Sequence, residues 1–200
     1  MTKSVMCMLE GISASGKSTL AKHLKFDDFC VYAVDEIVED DNTVIHSTDD
    51  LREELFGNVD EQGKNDELYH ELHARIRRDL QDGRNIIYDA TNLNKKRRIA
   101  FLQSLEGIDC YKVCVMIFAT VQQCIEWNRN RDRKVPDEVI YKQYGNWQPA
   151  HYSEGFDAVY VAVPQLPNQD HKPKFQLKAL FERADDVLDH GSDGTPPDMA

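Results

Sequence analysis

Residues 11–18, Gly11-Ile12-Ser13-Ala14-Ser15-Gly16-Lys17-Ser18, fit the pattern G-x-x-x-x-G-K-[ST] at every position. The chemistry of such a run is to hold a polyphosphate. Gly11 and Gly16 let the backbone turn so that successive N–H groups, those of Ser13, Ala14 and Ser15 among them, aim at phosphate oxygens. Lys17 supplies a cation to the β- and γ-phosphates, and the Ser18 hydroxyl, followed by Thr19, is a hard oxygen ligand suited to Mg²⁺. The competing reading is a flexible Ser/Gly loop. An apolar run of strand length over 4–9 before it and a helical stretch from about Lys17 to Leu24 after it favour the phosphate loop, and that helix would add the positive end of its dipole.

Other residues carry chemistry only in context. Asp89 ends an apolar strand over 85–90, where it either backs a metal, the lysine or Ser18, or caps the following turn. Asp49, Asp50 and Arg52 follow a short strand, Thr43–Ser47, at the start of a helix with Thr48 as its N-cap. Either aspartate can take a proton from an attacking hydroxyl, or both can simply complement the helix dipole. Arg129, Arg131, Arg133 and Lys134 precede Val135-Pro136 and read either as a lid that clamps phosphates or as a solvated helix end. The runs Lys95–Arg98 and Arg75–Arg78 read as largely solvent-facing, and His70 and His73, sharing a helix face, as structural. Trp127 and Trp147 read as packing anchors. Tyr144, Trp147 and Tyr152 have the types to stack a base, but such spacing is commoner in packing.

The elements that must position these groups alternate between strand and helix. Residues 66–81 carry Leu68, Leu72, Ile76 and Leu80 on one helical face, closed by Gly83. Helices are predicted over 95–105, 121–130 and 137–147, and strands over 111–118 and 157–163, the last of the series. This is an α/β fold: a parallel β-sheet flanked by helices, with an arginine-bearing lid. Residues 26–42 read as an irregular acidic insertion, 164–175 as aperiodic, 176–189 as one further helix, and 190–200 as a disordered tail. The organisation is therefore a domain over 1–163, an extension over 164–189 and the tail.

Two hundred residues with 41% hydrophobic and 30% charged content suffice for one core. A net charge of -11 argues against coating nucleic acid by bulk charge, though not against a local basic groove. Five cysteines, with no C-x-x-C pair and three in apolar runs, read as reduced core thiols. With no bilayer-length apolar run and no signal-peptide pattern, a cytoplasmic protein with no membrane partner is expected.

In order along the chain stand Gly11–Thr19, Thr48-Asp49-Asp50-Leu51-Arg52, Tyr88-Asp89-Ala90-Thr91-Asn92-Leu93-Asn94 with Arg97-Arg98, then Arg129-Asn130 and Arg133 before Val135-Pro136. From about residue 4 to 162 this resembles the kinase domain of phage and bacterial polynucleotide 5′-kinases, within the zeta-toxin-like P-loop kinases. The resemblance implies a phosphotransferase using ATP or another NTP with Mg²⁺, and the 5′-OH of a nucleic acid end as acceptor partner. It implies that Lys17 and Ser18 bind phosphates and metal, that Asp49 is the general base, and that Arg52 contacts the acceptor's 3′-phosphate. Asp89 would support the phosphate site, Thr91 and Asn92 would lie near the acceptor, and Arg129 and Arg133 would be lid arginines, Arg133 reaching the donor phosphates. Related stand-alone proteins phosphorylate nucleosides, modified bases or small molecules, and a nucleotide-binding ATPase switch is the alternative of another class. The sequence leaves a homo-oligomer open.

Overall fold

The structure is a computed structural model and describes residues 3–27, 30–165 and 174–182. Strands β1 (Ser4–Glu10), β2 (Leu24–Asp27), β3 (Cys30–Ala33), β4 (Thr43–Ser47), β5 (Asn85–Asp89), β6 (Cys110–Ile117), β7 (Ala158–Gln165) and β8 (Lys174–Glu182) are interleaved with six helices. These are α1 (Lys17–Ala21), α2 (Thr48–Phe56), α3 (Asn65–Gln81), α4 (Lys95–Ser104), α5 (Val121–Arg129) and α6 (Asp137–Gly145). The main sheet has the order β4-β5-β1-β6-β7-β8, and β4 to β7 run parallel to β1.

Every residue of β1 is buried, because both faces of the sheet are covered. Side chains alternate across a strand. Met6 and Met8 pack with Leu68, Leu72 and Ile76 of α3 and Phe101 of α4. Val5, Cys7 and Leu9 point the other way, among Leu20, Leu24, Val113 and Val115. The repeat of four in α3 is thus the stripe that covers β1. Cys7, Cys110, Cys114 and Cys124 are buried free thiols. Among the described residues no helix is long and apolar enough to cross a membrane.

The sheet is mixed rather than parallel throughout, and β7 is not its last strand. β8 pairs antiparallel with β7 where a helix was expected to begin. The cause is a bulge. The register jumps between Val159 and Tyr160, leaving Leu180 as an extra, exposed residue. Phe175 and Leu177 pack on one face of the sheet and Phe181 on the other. Leu177, Leu180 and Phe181 therefore show the i, i+3, i+4 spacing of a helix while lying in a strand. Residues 183–189 of the expected helix and the tail 190–200 lie outside the described residues.

The segment 26–42 is not wholly irregular either. β2 and β3 form an antiparallel pair, and the chain returns along α1, Val34 N–H donating to His23 O at 2.9 Å and Val38 N–H to Lys22 O at 2.8 Å. Helix α1 accordingly stops at Ala21, three residues short of the expected end, since Leu24 already belongs to β2. Thr48 is the first helical residue of α2 rather than its cap. The Ser47 hydroxyl accepts from the Asp49 and Asp50 N–H groups.

Arg98 departs from the expected solvent-facing run. It is fully buried and donates two hydrogen bonds of 2.8 Å to the carboxylate of Glu154, in a 3-10 turn over Tyr152–Glu154, and a third to Asn92 O. Glu10, at the end of β1, lies 3.6 Å from the same guanidinium and accepts from Trp147 Nε1 and, at 3.1 Å, Ala150 N–H. Burial pushes the Glu10 carboxyl up to about 7, against the pull of Arg98. Glu154→Ala strands a buried guanidinium and is expected to cost roughly 3–5 kcal/mol, read as a lowered urea midpoint. A loss below about 1 kcal/mol would show that Arg98 finds water or another partner.

Candidate active site

Three strand ends meet at the site: β1 leads into Gly11, β4 into Asp49, and β5 ends in Asp89. Gly11 leaves no room for a side chain. A Cβ there would lie 2.7 Å from Ser15 Oγ and 3.3 Å from Ile117 O. Its N–H donates to Thr91 O at 3.1 Å, tying the loop to the segment after β5. Ala14 and Gly16 have φ of 61° and 96°, which turns the loop amides into a concave nest. With α1 only five residues long, these amides rather than the helix dipole carry most of the positive potential at the loop. Ser13 N–H is taken by Gln143 Oε1 of α6 at 2.7 Å.

Lys17 is buried and its Nζ donates to Ile12 O at 2.8 Å. Burial lowers its pKa, and the nearby Asp89 carboxylate opposes that shift. Asp89 is itself pushed up by burial and pulled back by Lys17 and by a hydrogen bond from Ser18. The loop thus presents a buried cation and a hydroxyl, backed by one carboxylate.

Across the cavity Asp49 has both oxygens engaged. Oδ1 accepts from Arg52 at 3.1 Å, and Oδ2 lies 2.8 Å from Arg133. Arg133 also donates to Asp60 at 2.9 Å and to Val59 O at 3.1 Å, both on the α2–α3 connection. Arg52 is buried, donates to Asn65 Oδ1 at 3.1 Å, and keeps Nε without a partner. Among the described residues only Ser15 Oγ and Arg52 Nε are buried side-chain polar atoms left so. The lid between α5 and α6 is pinned at its base by Asn128, whose amide bonds Val135 O at 2.6 Å and Val135 N–H at 3.0 Å.

These groups border one cavity of about 970 Å³. Its lining includes Ser13, Ala14, Gly16, Lys17, Ser18 and Thr19 of the loop, Asp89 and Thr91 beside them, and Asp49, Arg52 and Arg133. Asp49 is distinguished from Asp50, which is exposed and outside the lining. Gly11 and Ser15, though part of the loop, are outside the lining. Asn92 borders a neighbouring cavity, its amide donating to Leu9 O at 2.8 Å from a residue with φ of 50°. Arg129 is outside the lining, exposed, and 3.8 Å from Asp137. Tyr152 stacks on Phe181 at 4.7 Å, and Trp147 serves Glu10, so these two pack as expected.

Sequence reasoning missed Asp60, Gln143 and Tyr69, all of which line the cavity. Asp60 sits in a polar loop with no period to single it out. Gln143 and Tyr69 gave no signal beyond their positions on predicted helices.

The family model described as an AAA domain matches residues 6–150, well over half of the chain. The chain belongs to this family. A comparison with curated protein sequences gives no match. Among solved structures, one chain of the Pnkp1/Rnl/Hen1 RNA repair complex is similar at a TM-score of 0.55 and 20% identity, over 88% of this chain and 49% of that one. The chain thus spans about half the length of that relative. A structure of the PezAT chromosomal toxin–antitoxin system of Streptococcus pneumoniae is similar at a TM-score of 0.55 and 12% identity, over 90% of this chain and 72% of that one. At these identities the likeness is one of fold. This AAA-domain protein has a P-loop kinase-like α/β fold, shared with these two structures.

Proposed function

We propose that this protein transfers the γ-phosphate of ATP or another NTP to a hydroxyl, foremost the 5′-OH of a polynucleotide end. One observation carries the reading: Asp49, a half-exposed carboxylate, shares a cavity with the buried Lys17 cation and with Arg52, whose buried Nε has no partner. The arrangement has an anion-binding loop on one side, a base on the other and a cation beside the base. The residues fit a triphosphate with Mg²⁺: the nest at Ala14–Gly16 would hold phosphate oxygens, and the Ser18 hydroxyl, backed by Asp89, would be the metal ligand. Mg²⁺, when bound, neutralises charge on the phosphates.

The acceptor oxygen attacks the γ-phosphorus in line, the bond to the leaving nucleoside diphosphate breaks, and the hydroxyl proton passes to Asp49. Lys17 and the loop amides spread the developing charge. Arg133 now contacts Asp49, so an acceptor hydroxyl has to displace it, which frees its guanidinium for the donor phosphates. Arg52 takes the acceptor's 3′-phosphate.

The test is transfer of labelled γ-phosphate to a 5′-OH oligonucleotide, a nucleoside 3′-monophosphate and the bare nucleoside. Loss of one charge-assisted contact costs about 1.5–3 kcal/mol, so the 3′-phosphate should improve the acceptor by roughly ten- to a hundredfold. Arg52→Ala should erase most of that preference. Equal use of bare nucleosides or unrelated alcohols would replace this reading with a small-molecule kinase. ATP consumption indifferent to any acceptor would replace it with a switch.

A further inference from the structure

A second cavity, of about 470 Å³, lies among α3, β5 and α4. It shares Tyr69, Thr91 and Arg97 with the first, and Tyr69 feels the charges of Asp49 and Arg52, so the two cavities adjoin near Asp49. Tyr69, His73, Tyr88 and Phe101 line it, and their rings form a connected set. His73 is 4.4 Å from Phe101, 5.8 Å from Tyr88 and 5.9 Å from Tyr69, between ring centroids, and Tyr88 meets Phe101 edge-on at 5.2 Å.

The interior is uncharged. His73 shares a 3.1 Å hydrogen bond with the Tyr88 hydroxyl, and burial pushes its pKa down to about 4, so the ring is neutral at pH 7. Arg98 reaches this cavity but is spent on Glu154 and Asn92 O. Apart from Arg98, charge on the lining is confined to exposed Asp66 and Arg97, and the Arg97 guanidinium sits 5.7 Å above the Tyr69 ring. Asn94 and Ser104 add polar groups to the lining. A volume in the range of small-ligand pockets, ~300–1,000 Å³, is too small for a docked helix. Aromatic walls with polar groups among them suit a planar heteroaromatic ring better than an aliphatic chain, because every base has a π-face to stack.

We infer that this second cavity receives the base of the acceptor's terminal nucleoside while its hydroxyl lies at Asp49, so that the acceptor is an unpaired nucleoside end. The inference rests on the kinase reading above. Tyr69 stands where both cavities meet, placed to fix the angle between base and hydroxyl.

The experiment compares two 5′-OH oligonucleotides that differ only in a base-bearing or an abasic terminal residue. It uses the wild type, Ala100→Phe and Tyr69→Leu. Ala100 is an exposed α4 residue that lines the second cavity and not the first, so a phenyl group there fills the cavity. The wild type should prefer the base-bearing end by roughly ten- to a hundredfold in kcat/KM, the scale of one stacked base. Ala100→Phe should collapse that ratio toward one, and Tyr69→Leu should lower it severalfold. Saturation-transfer NMR of adenosine 3′-monophosphate with the ATP-free protein gives a readout independent of transfer: base protons should show contact in the wild type and lose it in Ala100→Phe. If the wild type phosphorylates both ends equally, the kinase reading stands and the base site is overturned. If neither end is phosphorylated, the polynucleotide-kinase reading falls and the NMR decides the cavity: no base contact, or contact unchanged in Ala100→Phe, overturns it.

Discussion

Lys17→Ala should abolish phosphoryl transfer, at least about a thousandfold in turnover, and leave the melting temperature close to that of the wild type. Removing a single preorganised hydrogen-bond donor costs a site roughly 10²–10³ in kcat, and Lys17 brings a full charge as well. Its stability cost should be small because the lysine is held at a disadvantage. Burial disfavours its charged form, and its compensation is one hydrogen bond to Ile12 O and the nearby Asp89. Once the cation is gone, Asp89 is left buried beside the loop and takes up a proton more readily. The measurements are single-turnover transfer of labelled phosphate and a calorimetric scan. A folded variant with near-wild-type turnover would remove the phosphate-loop assignment. A large drop in melting temperature would mean that Lys17 is a structural cation, and that lost activity reports unfolding.

That loop was legible because its backbone dictates its residue types. Gly11 admits no Cβ, Gly16 has positive φ, and the spacing to Lys17 follows from the turn between. From residue types alone the choice between Asp49 and Asp50 was open, and only the resemblance favoured Asp49. Both lie in the first turn of α2, both favour the helix dipole, and both N–H groups bond Ser47. Helical phase separates their surroundings: Leu51 and Arg52 are buried, which turns Asp49 toward the cavity and Asp50 to solvent. The same holds for Arg97 and Arg98, adjacent in one basic run. One rims the two cavities and the other is a buried strut between α4 and Glu154. No feature of a run of four cations says which one finds a carboxylate 56 residues away. β8 was lost for a different reason. A single bulge flips the face of its apolar residues, and a pattern that changes face mid-strand mimics the helical period.

Asp49→Asn is the second large effect: a fall of about 10²–10⁴-fold in turnover with ATP affinity retained, the usual worth of a general base. Geometry complicates the interpretation, since Asp49 also holds Arg133 at 2.8 Å and Arg52 at 3.1 Å. An amide in its place can still accept from one guanidinium but neither takes a proton nor pairs a charge. A displaced lid arginine would lower activity just as a missing base does. Asp60 separates the two. It lies 2.9 Å from the same Arg133 guanidinium, is exposed, and is never asked to accept the acceptor's proton. Asp60→Asn therefore loosens the lid arginine while leaving the base intact. If Asp49 is the base, Asp49→Asn is slow by orders of magnitude and Asp60→Asn changes turnover by only a fewfold. The pH dependence separates them again. The limb of the kcat/KM profile that reports a base disappears in Asp49→Asn and persists in Asp60→Asn. Equal losses in the two variants, with that limb retained in both, would make Asp49 a tether for Arg133 and send the search for the base elsewhere in the cavity, to Asp89 first, the other carboxylate that lines it from a strand end.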